Sequence, residues 1–328
     1  MKEVILIFRK PFPGQFSIEY LFYSVSKYLD SNNIHISNRQ LSYYSKGLTN
    51  RVLNVLTLLS VKKKIVHVTG DVHYAILGAL FCKRILTIHD LNFMQNKTLI
   101  PRTIYWLLWI YLPVKFSHKV TVISESTKQE LLKYVKIKDS KIHVIGDFID
   151  EIYQPVKKDF NKTKPRILQI GVTFNKNLER LADALRGIDC TLIIIGKLPG
   201  NISDKLKSCN IAYENKYNLS SEELFDEYVK SDLLCYVSTS EGFGMPILEA
   251  QTVGRPVVTS NCSSMPEVGG AGAVFVDPFS VSSIRNGIVK ILEDDKLREN
   301  IIYNGFTNIE RFSKETIAQH YLNLYRNL

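Results

Sequence analysis

Short apolar runs rich in β-branched residues recur along this chain, each followed by a stretch of helical periodicity. The first half carries VILIF from Val4, KIVHV around Val66, RILTI from Arg84, KVTVIS from Lys119 and KIHVIG from Lys141. A polar, proline-punctuated stretch, YQPVKKDFNKTKP from Tyr153, interrupts the alternation, which then starts afresh with RILQIG at Arg166. TLIIIG from Thr191, a weaker NIAYE from Asn210, DLLCYVS from Asp232, RPVVTS from Arg255 and GAVFVD from Gly272 follow. Strands alternating with helices predict parallel, doubly wound sheets. The interruption predicts two such α/β domains in series, and 328 residues exceed what one core usually holds. The expected division is 1–155, 156–311 and a closing helix over 312–328 that crosses back to the first domain. Ligands of open parallel sheets bind beyond the carboxyl ends of the strands, so the expected site is the cleft between the two sheets.

Charge is unevenly placed. Up to residue 150 there are 21 Lys and Arg against 10 Asp and Glu, and after it 21 against 22. A basic half suits nucleic acid, an anionic membrane surface or a phosphorylated substrate. Nucleic acid is set aside, because the chain has no zinc-finger spacing, no basic helix with heptads and no aromatic RNA-binding strand. The five cysteines are scattered and read as small buried hydrophobes. No His-Glu-x-x-His and no Asp-x-Asp occurs, so no protein-held metal is expected. TIYWLLWIYLPVKF from Thr103 is too short to span a bilayer and reads as a core helix. The N-terminus lacks a secretory pattern, and the expected location is the cytoplasm, with peripheral attachment to the inner face of the cell membrane.

The segment STSEGFGMPILEAQTVGRPVV, from Ser238, carries the chemistry. It leaves a strand, turns through Gly242 and Gly244, and enters a helix near Pro246. The glycines let backbone approach a ligand, and the amides of Met245, Ile247 and Leu248 are expected to point at an anion or a hydroxyl-rich group. Glu241 and Glu249 flank the turn, eight positions apart, and carboxylates match vicinal hydroxyls.

EGFGMPILE resembles the Glu-x7-Glu motif of the retaining GT4 glycosyltransferases, also called glycosyltransferase group 1. LQIGVTFNKNLERLADAL from Leu168 resembles that family's phosphate loop, and IIIGKL from Ile193 and LSSEEL from Leu219 its base-binding surroundings. VTGDVHY from Val68, LTIHDL from Leu86 and VTVISEST from Val120 are similar to first-domain landmarks. The resemblance implies the GT-B fold, two Rossmann-like domains facing a cleft, and transfer of a hexose-type sugar from a nucleotide-diphosphate sugar, with no other cofactor. The acceptor would be a hydroxyl on a lipid-linked or growing surface glycan.

By the same resemblance Lys176 neutralises the leaving diphosphate, Glu241 contacts the transferred sugar and His89 reaches it. Glu249 takes the ribose hydroxyls, and Phe243, Gly244 and Met245 offer backbone groups to the sugar, with Pro246, Ile247 and Leu248 continuing that wall. Gly14, Gly171, Thr173, Lys197 and Leu219 complete the donor side, and Ser17, Glu19, His73 and Asp90 the acceptor side. Two departures stand out: no arginine precedes Lys176, where Thr173 could offer a hydroxyl, and PFPGQFS from Pro11 lacks a double glycine. Front-side displacement is the accepted route for the family, so no carboxylate nucleophile is assigned. The alternative is a nucleotide-sugar epimerase of related fold. An NAD-dependent oxidoreductase is disfavoured, because no Gly-x-Gly-x-x-Gly follows the first strand.

Overall fold

A computed structural model describes residues 2–10, 17–30, 34–91, 94 and 99–328. The chain divides into two compact units, one of residues 1–148 with 313–328 and one of residues 149–312.

In the first unit the elements run β1 (Lys2–Phe8), α1 (Ser17–Asp30), β2 (Ile34–Gln40), α2 (Leu48–Leu58), β3 (Lys62–Val68), a 3-10 helix (His73–Gly78) and β4 (Phe81–Ile88). A helical stretch follows, α3 (Leu99–Tyr105), a π-helical turn (Trp106–Tyr111) and α4 (Leu112–Phe116), then β5 (Lys119–Val122), α5 (Glu125–Tyr134) and β6 (Ile142–Val144). The strands form one sheet in the order β2-β1-β3-β4-β5-β6, every pairing parallel. Both faces are buried, which is why these strands read as continuous apolar runs. Ile5, Ile7, Val66, Val68, Leu86 and Ile88 point to one face, and Val4, Leu6, Phe8, Ile65 and Ile85 to the other.

β2 escapes the sequence reading. IHISNRQ is an edge strand paired with β1, and its inward residues Ile34 and Ile36 alternate with exposed ones, so no apolar run marks it. The aromatic helix meets the core-helix expectation along one stripe only. Trp109 and Ile110 are buried, while Ile104 and Leu107 are exposed. Among the described residues no helix is long and apolar enough to cross a membrane.

In the second unit β7 (Arg166–Ile170), α6 (Leu178–Leu185), β8 (Thr191–Ile195), α7 (Gly200–Ser208), β9 (Ala212–Lys216), α8 (Ser221–Lys230) and β10 (Leu233–Tyr236) lead to α9 (Met245–Val253). After it come β11 (Val257–Ser260), α10 (Met265–Gly269), β12 (Val274–Val276), α11 (Val281–Glu293) and α12 (Asp295–Ile309). The parallel sheet has the order β12-β11-β10-β7-β8-β9. Four of the cysteines are buried and Cys262 is partly so.

The last helix, α13 (Lys314–Arg326), is capped by Ser313 and packs on the first unit's sheet beside α1. Tyr325 reaches His67 Nδ1 at 2.7 Å, His67 Nε2 lies 2.7 Å from Thr87 Oγ1, and Thr87 meets Thr121 at 2.6 Å. Burial pushes the His67 imidazole down to about 3, so it stays neutral inside this network.

Candidate active site

In the second unit the chain leaves β7 towards β8 on one side and β10 towards β11 on the other, so the neighbours β7 and β10 bracket the point where the winding reverses. The loops after these two strands meet, the Thr239 amide donating to Asn175 O at 2.8 Å. Among the predicted residues of this unit, Gly171 and Thr173 follow β7, Lys197 follows β8, Leu219 follows β9 and Glu241 follows β10, all at carboxyl ends of strands, while Met245 to Glu249 lie in α9. Such a crevice is where open α/β sheets hold their ligands.

Lys176 is the centre of this cluster. Its Nζ lies 2.6 Å from Glu241 Oε1 and donates to the Tyr236 hydroxyl at 2.6 Å, with the ring beneath it at 4.6 Å. Lys176 thus bridges the Tyr236 phenol and the Glu241 carboxylate. Burial, reinforced by that carboxylate, pushes the Tyr236 phenol well up and keeps it a neutral donor. Asn175 Nδ2 donates to Ser240 O at 2.9 Å and to Glu241 Oε1 at 3.3 Å. Glu241 is fixed through its backbone as well, its amide donating to Ser263 Oγ at 3.1 Å. Asn177, in the left-handed region at φ 61°, ties the loop's end to Val237 O and Pro278 O at 3.0 and 2.7 Å.

Glu249, on α9, has a different setting. Tyr228 donates to its Oε2 at 2.5 Å, and the Tyr153 phenol stands nearby. Burial pushes this carboxyl up to about 7, the two phenols pulling it back down and Asp150 adding a further push upward. The rigid Tyr228 donor therefore sets which carboxylate lone pairs remain for a ligand.

The helix start needs a correction. Gly244 is its cap at φ 115°, and the Ile247 amide donates to Gly244 O at 3.0 Å, so it does not face a ligand. Leu248 is the fourth helical residue, where the amide enters the helix's own ladder, and both side chains are fully buried. Pro246 has no amide hydrogen, which leaves Met245 as the donor of that first turn. The Phe243 ring is buried edge-on to Phe312, and Ser264 Oγ occupies the Phe243 carbonyl at 2.5 Å. The Thr173 hydroxyl is likewise engaged, donating to Asn175 Oδ1 at 2.7 Å.

In the first unit, His89 and Asp90 follow β4 at its carboxyl end, Asp90 exposed and His89 half-buried. His89 Nε2 donates to Thr69 O at 2.8 Å, which leaves Nδ1 as the other ring nitrogen to act. Beside it stands Asp147, whose Oδ1 is buried without a hydrogen-bond partner. Burial raises that carboxyl, and the proximity of His89 lowers it. His73 is a second correction: it is 2% exposed, its Nδ1 bonded to Trp109 O at 2.8 Å, and burial pushes it down to about 4. It is a core residue, not an acceptor contact. Ser17 and Glu19 lie in the first turn of α1, and Gly14 falls outside the described residues.

Residues 150–307 match the family of glycosyl transferases group 1, and residues 27–151 match Glycosyltransferase Family 4. The chain belongs to the group 1, family 4 glycosyltransferases. Among its relatives is the O-antigen chain mannosyltransferase B of Escherichia coli, 39% identical over 107 residues, which are 33% of this chain and 28% of that protein. The O-antigen chain mannosyltransferase RfbU of Salmonella typhimurium is 26% identical over 263 residues, 76% of this chain and 69% of its own. The crystal structure of Anabaena Alr3699/HepE in complex with UDP and glucose superposes with a TM-score of 0.74 over 100% of both chains at 15% identity. The fold is GT-B.

Several residues around this candidate site were not legible in the sequence. Tyr236 and Tyr228 sit in a strand and a helix as ordinary apolar positions, and Tyr153 lies in the stretch read as a linker. Asn175 looked like loop filler. The Asp in IGDFID after β6 gave Asp147 a visible signal, because a carboxylate at a strand's carboxyl end occupies a ligand-facing position.

Proposed function

We propose that the chain transfers a hexose-type sugar from a nucleotide-diphosphate sugar to an acceptor hydroxyl, with retention of configuration and without a divalent metal. One observation carries this reading. Lys176 Nζ bridges Glu241 and Tyr236, 2.6 Å from each, at the winding reversal of the second unit, with Glu249 eight positions along on the adjoining helix. An ammonium has three N–H donors, enough for Tyr236, Glu241 and one phosphate oxygen. Lys176 then stabilises the charge that builds on the departing diphosphate, work a metal would otherwise do. Glu241, held by Asn175 and Ser263, is placed to accept from the transferred sugar, and Glu249 from the ribose. The departing phosphate helps deprotonate the acceptor in a front-side reaction. For His89 a contact with the same sugar is proposed on the family resemblance.

Two relatives are named O-antigen chain mannosyltransferases, which supports a growing surface glycan, lipid-linked and presented at an anionic membrane, as the acceptor. Their transferase names also favour transfer to an acceptor over epimerisation. The proposed working place is the cytoplasmic face of the membrane. Saturation-transfer NMR against uridine, guanosine and adenosine diphosphate sugars, mannosyl donors first, tests the donor, with Glu249→Ala as control. Binding of one base class that disappears in the variant is expected. No binding of any of them to folded protein overturns the reading. Unchanged turnover in EDTA is expected of the metal-free step.

A further inference from the structure

The end of α4, the start of β5 and the turn entering β6 enclose a groove of about 590 Å³ in the first unit. Lys115, His118, Lys119, Lys136, Lys138 and Lys141 line it, with Ile137 and Ser140, and no lining residue is acidic. The neighbouring Asp139 is held by Lys128 at 2.8 Å. Three of the ammonium groups are anchored on backbone carbonyls. Lys115 Nζ donates to Lys136 O at 2.8 Å, Lys119 Nζ to Ser140 O at 2.9 Å, and Lys141 Nζ to Lys115 O at 3.0 Å. Each therefore keeps two N–H donors at a fixed place. The groove lies at the amino-terminal ends of β5 and β6, whereas His89 and Asp90 follow the carboxyl-terminal end of β4.

Crowding like charges without a counter-ion is unfavourable, and these groups register it. Partial burial, then Lys115 and Arg84, hold Lys141 below the ordinary lysine range. Partial burial, then Arg84, Lys83 and Lys141, lower His118. A multiply charged anion would reverse every one of these repulsions at once.

We propose that this groove binds phosphate groups, carried either by a free polyphosphate or by an anionic phospholipid head group. Lysine is a compact, strongly hydrated point charge suited to phosphate oxygens, and several fixed ones favour a ligand with more than one negative charge. A nucleic-acid strand fits less well, since no aromatic platform lines the groove for its bases. A second groove of about 680 Å³ shares His118 and adds Lys83 and Arg84, with Lys64 paired to Glu3 on its wall, flanked by Phe81 and Leu80, 61% and 46% exposed. Those apolar side chains are the reason to test a lipid source alongside a free one.

The test uses Lys176→Ala protein, so that the donor site does not report diphosphate, and compares it with the same chain carrying Lys115→Gln, Lys119→Gln and Lys141→Gln. One arm follows thermal stabilisation by inorganic pyrophosphate against chloride at matched ionic strength. The other follows co-sedimentation with phosphatidylglycerol–phosphatidylcholine vesicles against phosphatidylcholine alone. Either response, weakened about tenfold or more by losing three charge-assisted contacts, upholds the site, and which arm responds names the source. Lys138→Glu, an exposed change, repeats the comparison should the triple variant fold poorly. No response in either arm, or responses of equal size in all variants, overturns the proposal. Neither arm involves glycosyl transfer, so its failure is separate from that of the proposed activity.

Discussion

A Cβ on Gly171 would stand 2.8 Å from Cε and 3.1 Å from Cγ of Lys176, so the lysine stem would have to move aside. The lysine stem crosses the glycine's bare face to reach Glu241, and at φ 87° the backbone there also disfavours an L side chain. Gly171→Ala is therefore expected to strain the loop by about 1–2 kcal/mol and to swing Lys176 off its partners. Donor turnover falls towards that of Lys176→Ala while the protein stays folded. Steady-state kinetics beside a melting curve check this.

Lys176→Ala leaves Glu241, 13% exposed, without its cation. Both stability and turnover are expected to fall, turnover by about 100-fold or more, as when a group that stabilises transition-state charge is removed. Lys176→Met with Glu241→Gln together removes both charges. The melting temperature of this double variant should recover towards that of the wild type and the turnover should not. Recovery of both would show that the pair serves the fold alone.

Glu249 ties stability and donor binding to pH in opposite senses. Its carboxyl ionises near 7 in the folded chain against 4.5 ordinarily, so between those values the folded form holds more protons than the unfolded one. The stability it contributes is complete below about 4.5 and is lost as pH rises to about 7. Glu249→Gln should melt higher than wild type at pH 8, with the gap closing towards pH 5. Donor affinity needs the carboxylate and should instead rise through pH 7. Tyr228→Phe removes a phenol that favours the ionised form, moving that rise to higher pH. An affinity flat from pH 5 to 8 would exclude Glu249 as a ribose acceptor.

Tyr325 supplies the Nδ1 partner of a fully buried, neutral His67. Tyr325→Phe keeps the ring packing and orphans a buried polar nitrogen. A loss of about 1–3 kcal/mol in chemical denaturation is expected. His67→Leu in the same background should recover part of it.

Strands were legible wherever both faces of a sheet are buried, because a run such as VILIF has no other soluble use. β2 was not, since an edge strand shows only alternate residues to the core. Within the site, Lys176, Glu241 and Glu249 announced themselves as charges in a Gly-rich strand-to-helix turn. Tyr153, Tyr228 and Tyr236 did not, because a buried phenol has the pattern of any core aromatic, and only three-dimensional proximity reveals the carboxylate it serves. His73 misled for the converse reason: a histidine beside a strand end reads as a ligand-facing group, yet its ring nitrogen satisfies the carbonyl of Trp109. The amide of Ile247 was misjudged because a glycine cap offers its carbonyl within the first turn.

The sixteen residues from Ser313 belong to the first unit, while all of the second lies between them and Phe148. On a translating ribosome the first sheet emerges early, yet the part of one face beside α1 stays uncovered until α13 has been made. The second unit, whose residues are contiguous, has everything it needs before then. The part of the chain synthesised first is thus the part that must finish folding last, and meanwhile its apolar face is the one most in need of a chaperone.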